Sequence, residues 1–143
     1  MDSFEFTQQF TQGLQALRAR ECPDAMVVCV DSNFAWILLG KVNLEALELA
    51  FKEKECLLFI RVPLTFPNTP PYGIATVPAL HRRDDAAIDR FHLNNQHTIL
   101  LAQQPGYADV AFWSWDCKEM KLVKVEQMAE LYGWALKRLM QEK

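Results

Sequence analysis

The chain has 143 residues, half of them hydrophobic and 11% aromatic, with 15 Lys and Arg set against 18 Asp and Glu for a formal charge of −3. That length and apolar content suit one globular domain over residues 1–143 and exclude the disordered class. No basic excess is present to hold a phosphate backbone, so no nucleic-acid partner is expected; no apolar run is long enough to span a bilayer, so no membrane partner is expected.

The start, MDSFEFTQQF, lacks a basic stretch followed by an apolar run, and is read as carrying no secretory signal. The four cysteines (Cys22, Cys29, Cys56 and Cys117) form no CxxC pair and share no zinc-type spacing with His81, His92 and His97. The economical expectation is free thiols in a reducing, cytoplasmic setting, with no metal and no cofactor.

Phe6, Phe10, Leu14 and Leu17 recur at three and four residues, one helical face, and Cys22-Pro23-Asp24 ends the run. The spacing predicts a helix over Ser3–Arg20. Ala25–Val30 and Phe34–Gly40, split by Asp31-Ser32-Asn33, read as two strands around a tight turn. Val42–Lys54 fits either a helix or a strand with alternate residues buried. Cys56–Leu64 reads as a strand running into the proline turn Pro67–Pro71, and Tyr72–Val77 as a short strand after it.

Between Pro78 and Gln96 the chain turns polar and irregular, a surface excursion in which Asp84–Phe91 has the make-up of a short helix. Thr98–Ala102 and Val110–Trp115 read as short strands about the turn Gln104-Pro105-Gly106. Val125, Met128, Tyr132, Ala135, Leu136 and Leu139 make an apolar stripe, predicting a last helix over Lys124–Gln141. Strands that follow one another, with helices at either end, argue for an α+β fold.

The segment VPLTFPNTPPYGIAT at Val62–Thr76 resembles the ubiquitin-conjugating-enzyme (UBC) family. Phe66-Pro67-Asn68-Thr69-Pro70-Pro71 matches that family's F-P-x-x-P-P turn, Thr76 fits the strand after it, and Phe59, Arg61 and Val62 alternate as its third strand does. The spelling Val62-Pro63 is closer to bacterial members. The resemblance is specific over about 20 residues and extends loosely to the whole chain through the order of elements. It implies a UBC-like α+β fold: N-terminal helix, antiparallel strand meander, proline-rich turn, active-site loop and C-terminal helix.

The family's reaction implies a cysteine that carries a ubiquitin-like protein as a thioester and passes it to an amine, with an amide side chain stabilising the oxyanion. The chain departs from the usual pattern here. Counting from Pro71, the expected His-Pro-Asn falls on His81-Arg82-Arg83 and the cysteine position on Phe91. A second registration uses His92-Leu93-Asn94 and lands on Ala102.

The one thiol after the turn is Cys117, in FWSWDCKEM, where Trp113 and Trp115 resemble the family's tryptophan-bearing segment. The resemblance makes Cys117 the candidate nucleophile, which requires it exposed beside the loop after Pro71; a semi-buried structural thiol is the competing reading. Asn94 and Asn95 are candidate oxyanion donors, or serve turn geometry. His92 and His81 are candidates for orienting the loop or moving a proton. Asp84 and Asp85 stand as a solvated pair or as groups that lower an incoming lysine's pKa. Arg18 and Arg20 fit contact with an activating enzyme, but also a helix whose charges complement its dipole. Cys22, Cys29 and Cys56 read as structural, and Trp36 and Trp134 as core.

Two readings from different classes follow. In the first, the chain is a bacterial ubiquitin-conjugating-like enzyme charged on Cys117, and the resemblance implies as partners an activating enzyme of the adenylating type, a ubiquitin-like protein and a target protein, in a system of the kind associated with antiphage defence. In the second, it is a UBC- or RWD-like protein-interaction module without catalysis. A third, a small acidic α+β chaperone for a secreted protein, leaves the proline turn without a role.

Overall fold

The computed structural model describes residues 3–31 and 33–142, and side chains from Gln8 onward except Gln9. It is an α+β fold. Helix α1 (Ser3–Arg20) leads into strands β1 (Met26–Val30), β2 (Phe34–Asn43), β3 (Glu55–Pro63) and β4 (Tyr72–Val77). Strand β5 (Phe91–Leu93), a 3-10 turn (Gln96–Thr98) and the one-turn helix α2 (Ile99–Ala102) precede β6 (Ala111–Asp116). A second 3-10 segment (Val125–Glu130) runs into helix α3 (Leu131–Met140). The strands form one antiparallel sheet in the order β1-β2-β3-β4-β6-β5. The first four strands meander. The chain then passes over the next place in the sheet, lays β5 at the edge, and returns to fit β6 between β4 and β5.

Strand alternation divides the sheet into two faces. Cys56, Leu58, Ile60 and Val62 of β3 point inward with Ala35, Ile37, Ile74 and Trp113. Helices α1 and α3 cover this face through Phe10, Leu17, Leu131, Ala135 and Leu139, all buried. Each fully buried Leu, Ile or Phe side chain here contributes about 1.5–3 kcal/mol. α1 lies so close to the 3-10 segment that a Cβ on Gly13 would meet Met128 Cε at 2.6 Å. The outer face carries Trp36, Phe59, Ala75, Val77 and Phe112, covered by Leu101, Val110 and Tyr107 from the α2 region.

The helical stripes behave as the spacing implies: Phe10 and Leu17 are buried and Leu14 packs against them, while the Phe6 side chain lies outside the described residues. Met128, Ala135 and Leu139 are likewise fully buried. The ambiguous stretch is resolved as neither single alternative. β2 continues to Asn43, whose Oδ1 accepts from Ala46 N at 2.9 Å, and the following turns drop Leu44, Leu49 and Phe51 into the inner core.

Three expectations are corrected. Thr98–Ala102 is helical, not a strand: Asn95 Oδ1 accepts from His97 N at 2.8 Å and starts the turn, after which Leu101 alone of Ile99, Leu100 and Leu101 is buried. Asp84–Phe91 is not a helix, because Asp85 (φ 62°) and Arg90 (φ 55°) are left-handed. The last helix is preceded by 3-10 geometry over Val125–Glu130, where Gln127 Oε1 accepts from Val123 N and Lys124 N.

Candidate functional site

The proline turn is built on a buried anchor. Phe66 is 1% exposed and its N–H donates to Pro63 O, while Thr65 O accepts from Asn68 N at 2.8 Å. The turn delivers Pro71, itself buried, to the start of β4, and the Pro71 carbonyl accepts the thiol of Cys117 at 3.2 Å. Cys117 therefore sits beside the end of the turn, but it is 3% exposed and belongs to the inner core. Burial, reinforced by the neighbouring Asp116 carboxylate, pushes its pKa up to about 11. In this setting it is a protonated, shielded thiol.

Cys22 and Cys56 are also buried, with pKa values pushed up to about 11 and about 12, chiefly by burial. Cys29, on the outer side, is half-buried, and burial followed by Asp31 raises it as well.

The irregular loop 78–90 is not loose chain. Lys52 N donates to His81 O at 2.8 Å and Arg83 N to Ala50 O at 2.9 Å, stitching it to segment 50–54. His81 Nδ1 lies 2.8 Å from Glu53 Oε2, Lys52 pairs with Asp85, and Arg82 binds both Asp84 and Glu142. Hydrogen bonds from Arg82 hold Asp84 well below the usual carboxylate range. From α3, the buried Arg138 donates to Asp89 O at 2.6 Å, pairs with Glu142 and stacks over Trp113 at 5.0 Å. Asp84 is thus committed to the loop's own Arg82, and Asp85 to Lys52 of the neighbouring segment.

His92 is exposed on β5, its Nε2 3.1 Å from Ser114 Oγ and its ring 6.2 Å from Phe112. That places it on the outer face. Asn94 is an exposed turn residue at φ 55°, and Asn95 caps the 3-10 turn. Cys117 belongs to the opposite, inner face, so Cys117 and His92 are not brought together, and Asn94 contributes turn geometry beside His92.

The inner-face end of β6 does form a concavity. Trp115 and Trp134 stack at 6.3 Å with 24° between planes, and each indole N–H donates at 2.8 Å to backbone on the other's element, Trp115 to Trp134 O and Trp134 to Asp116 O. These rings, Cys117, Met120 and the exposed Lys118 and Lys137 line a groove of 490 Å³. Sequence reasoning assigned Trp134 to the core, and it is 7% exposed; the reciprocal indole pairing was not legible, because nothing in the spacing of Trp115 and Trp134 indicates that β6 meets α3.

Among the described residues no three His, Cys, Asp or Glu side chains converge as a metal site, and no helix is long and apolar enough to cross a membrane. No protein-family model, curated protein or solved structure matches the chain.

Proposed function

We propose that the chain is a UBC- or RWD-like protein-interaction module that forms no thioester of its own. One observation carries this reading: the only thiol after the proline turn is 3% exposed, bonded to Pro71 O, and has a pKa near 11. A thioester-forming cysteine needs a thiolate that an acyl donor can reach; here both the proton and the packing work against it. The partners it would bind are those the family resemblance implies, a ubiquitin-like protein and its adenylating activating enzyme, in a bacterial cytoplasmic conjugation system of the antiphage kind. Incubation with such a pair and ATP, followed by a non-reducing gel, is expected to give no thiol-sensitive adduct, and wild type and Cys117→Ala should behave alike. An adduct present in wild type and lost in Cys117→Ala overturns the module.

A second reading keeps the ubiquitin-conjugating-like acyltransferase, with Cys117 as nucleophile. It is favoured by the place of Cys117, against the end of the proline turn and lining the β6–α3 groove. It requires that groove to open, and it must find its proton-transfer and oxyanion groups elsewhere than His92 and Asn94. A reductant-resistant ester trapped on Cys117→Ser would support it.

A further inference from the structure

Arg61 stands out on the outer face of the sheet. It is 8% exposed, and its Nε is buried with no hydrogen-bond partner among the described residues. None of the ion pairs among the described residues involves it. Buried charged groups are ordinarily paired, and an arginine left unpaired in a folded core calls for an explanation.

The guanidinium is nevertheless held in a defined place. Its Cζ lies over the Phe34 ring, 3.4 Å from the centroid, and Arg61 faces Trp36 directly across the β2–β3 ladder. The charge of Asp31 acts on Arg61 without an ion pair between them, and Asp31 Oδ1 is held in the β1–β2 turn by the N–H groups of Asn33 and Phe34, both at 2.9 Å. Trp36 Nε1 is likewise spent on His97 O at 3.0 Å. With Nε buried and no ion pair to Arg61 among the described residues, the Nη end of the fork is the candidate part to meet a ligand.

We propose that Arg61 is a carboxylate-binding site, its Nη groups receiving one acidic side chain or chain terminus of a ligand laid on the outer face of the sheet. A planar guanidinium fixed by stacking is pre-set for a planar, bidentate partner, and little further ordering is needed on binding. The charge balance favours a monoanion over phosphate. Burial first, and then the charge of Arg61, pull His97 below the usual histidine value, so a second positive charge on that ring is disfavoured beside the fork. The half-buried Phe34, under the guanidinium, and the half-buried His97, close enough to feel its charge, offer the ligand's chain an aromatic border. The site does not depend on thioester chemistry and stands whether or not Cys117 is charged.

The test is NMR of the Arg61 Nε–H and Trp36 indole N–H signals in the full chain, titrated with sodium acetate and, at equal ionic strength, sodium chloride. A saturable shift with acetate, absent with chloride and lost in Arg61→Met, is expected. N-acetylglycine against N-acetylglutamate α-methylamide then tells a chain terminus from a side chain by which saturates at lower concentration. Identical responses to acetate and chloride, or a shift retained in Arg61→Met, overturn the proposal; so does inorganic phosphate saturating the site about tenfold more tightly than acetate, which would assign a dianion instead. Should Arg61→Met fail to fold, the wild-type contrast between acetate and chloride decides.

Discussion

The two faces of the sheet come from the same strands and the same alternation, yet they carry different chemistry. On the inner face β3 places Cys56, Leu58, Ile60 and Val62 under α1 and α3, and three of the four thiols are sealed there. On the outer face the same strand places Leu57, Phe59 and Arg61, and the short α2 region packs over Phe59 and Leu57. Two long helices bury everything beneath them; one helical turn covers Phe59 and Val77 and leaves His92 and Tyr72 exposed at the border. The difference teaches that the inner face stabilises the fold, while the one buried side-chain polar atom without a partner among the described residues, Arg61 Nε, lies where the covering layer is thin.

The largest test of that division is Trp113→Ala. Trp113 is fully buried, donates to Thr76 Oγ1 at 3.0 Å and packs edge-on against Phe51 and Phe91. Truncation is expected to cost about 3–5 kcal/mol in urea unfolding. A loss below about 1 kcal/mol would break the claim that the inner face carries the stability.

Thiol labelling separates the faces next. With iodoacetamide at pH 8, peptide mapping is expected to show Cys29 modified first and Cys22, Cys56 and Cys117 protected. For Cys117 the rise from 9.0 to about 11 by itself lowers the thiolate fraction about 100-fold relative to a free thiol. The sign is that of a folded pKa above the unfolded one. The protonated thiol's contribution is complete below pH 9 and is lost as pH rises toward 11, so labelling of Cys117 should grow through that window. Cys117 reacting as fast as Cys29 at pH 8 would put it in reach of partners and revive the enzymatic reading.

The smallest effect is expected on the outer face. Arg61→Met keeps a long stem over Phe34 and removes the unsatisfied Nε, so stability should change by less than about 1 kcal/mol in either direction. A loss above about 3 kcal/mol would make Arg61 a structural residue of the same standing as Trp113.

Much of the fold was legible before the structure. The helical stripe placed α1 over Ser3–Arg20, and the β-branched and aromatic runs placed β1 to β4 and β6 to within a few residues. Periodicity is a local property, set by side chains three, four or two residues apart, and it survives without knowledge of neighbours. Short apolar runs were less secure: ILLA at Ile99–Ala102 has no period to read, and a capped turn beside Asn95 decided for helix.

What the chain alone determined, then, is the class of the fold, the proline turn and the supply of thiols. The tertiary structure decided the rest: that β6 enters between β4 and β5, that Cys117 is sealed in the inner core while His92 lies on the other face, and that Arg61 is buried with no ion pair among the described residues. Alternation tells which residues share a face of one strand. Which edge a distant strand joins, and which helix then closes over it, depends on contacts between residues tens of positions apart, and those fix whether a thiol is reachable or an arginine is left unpaired.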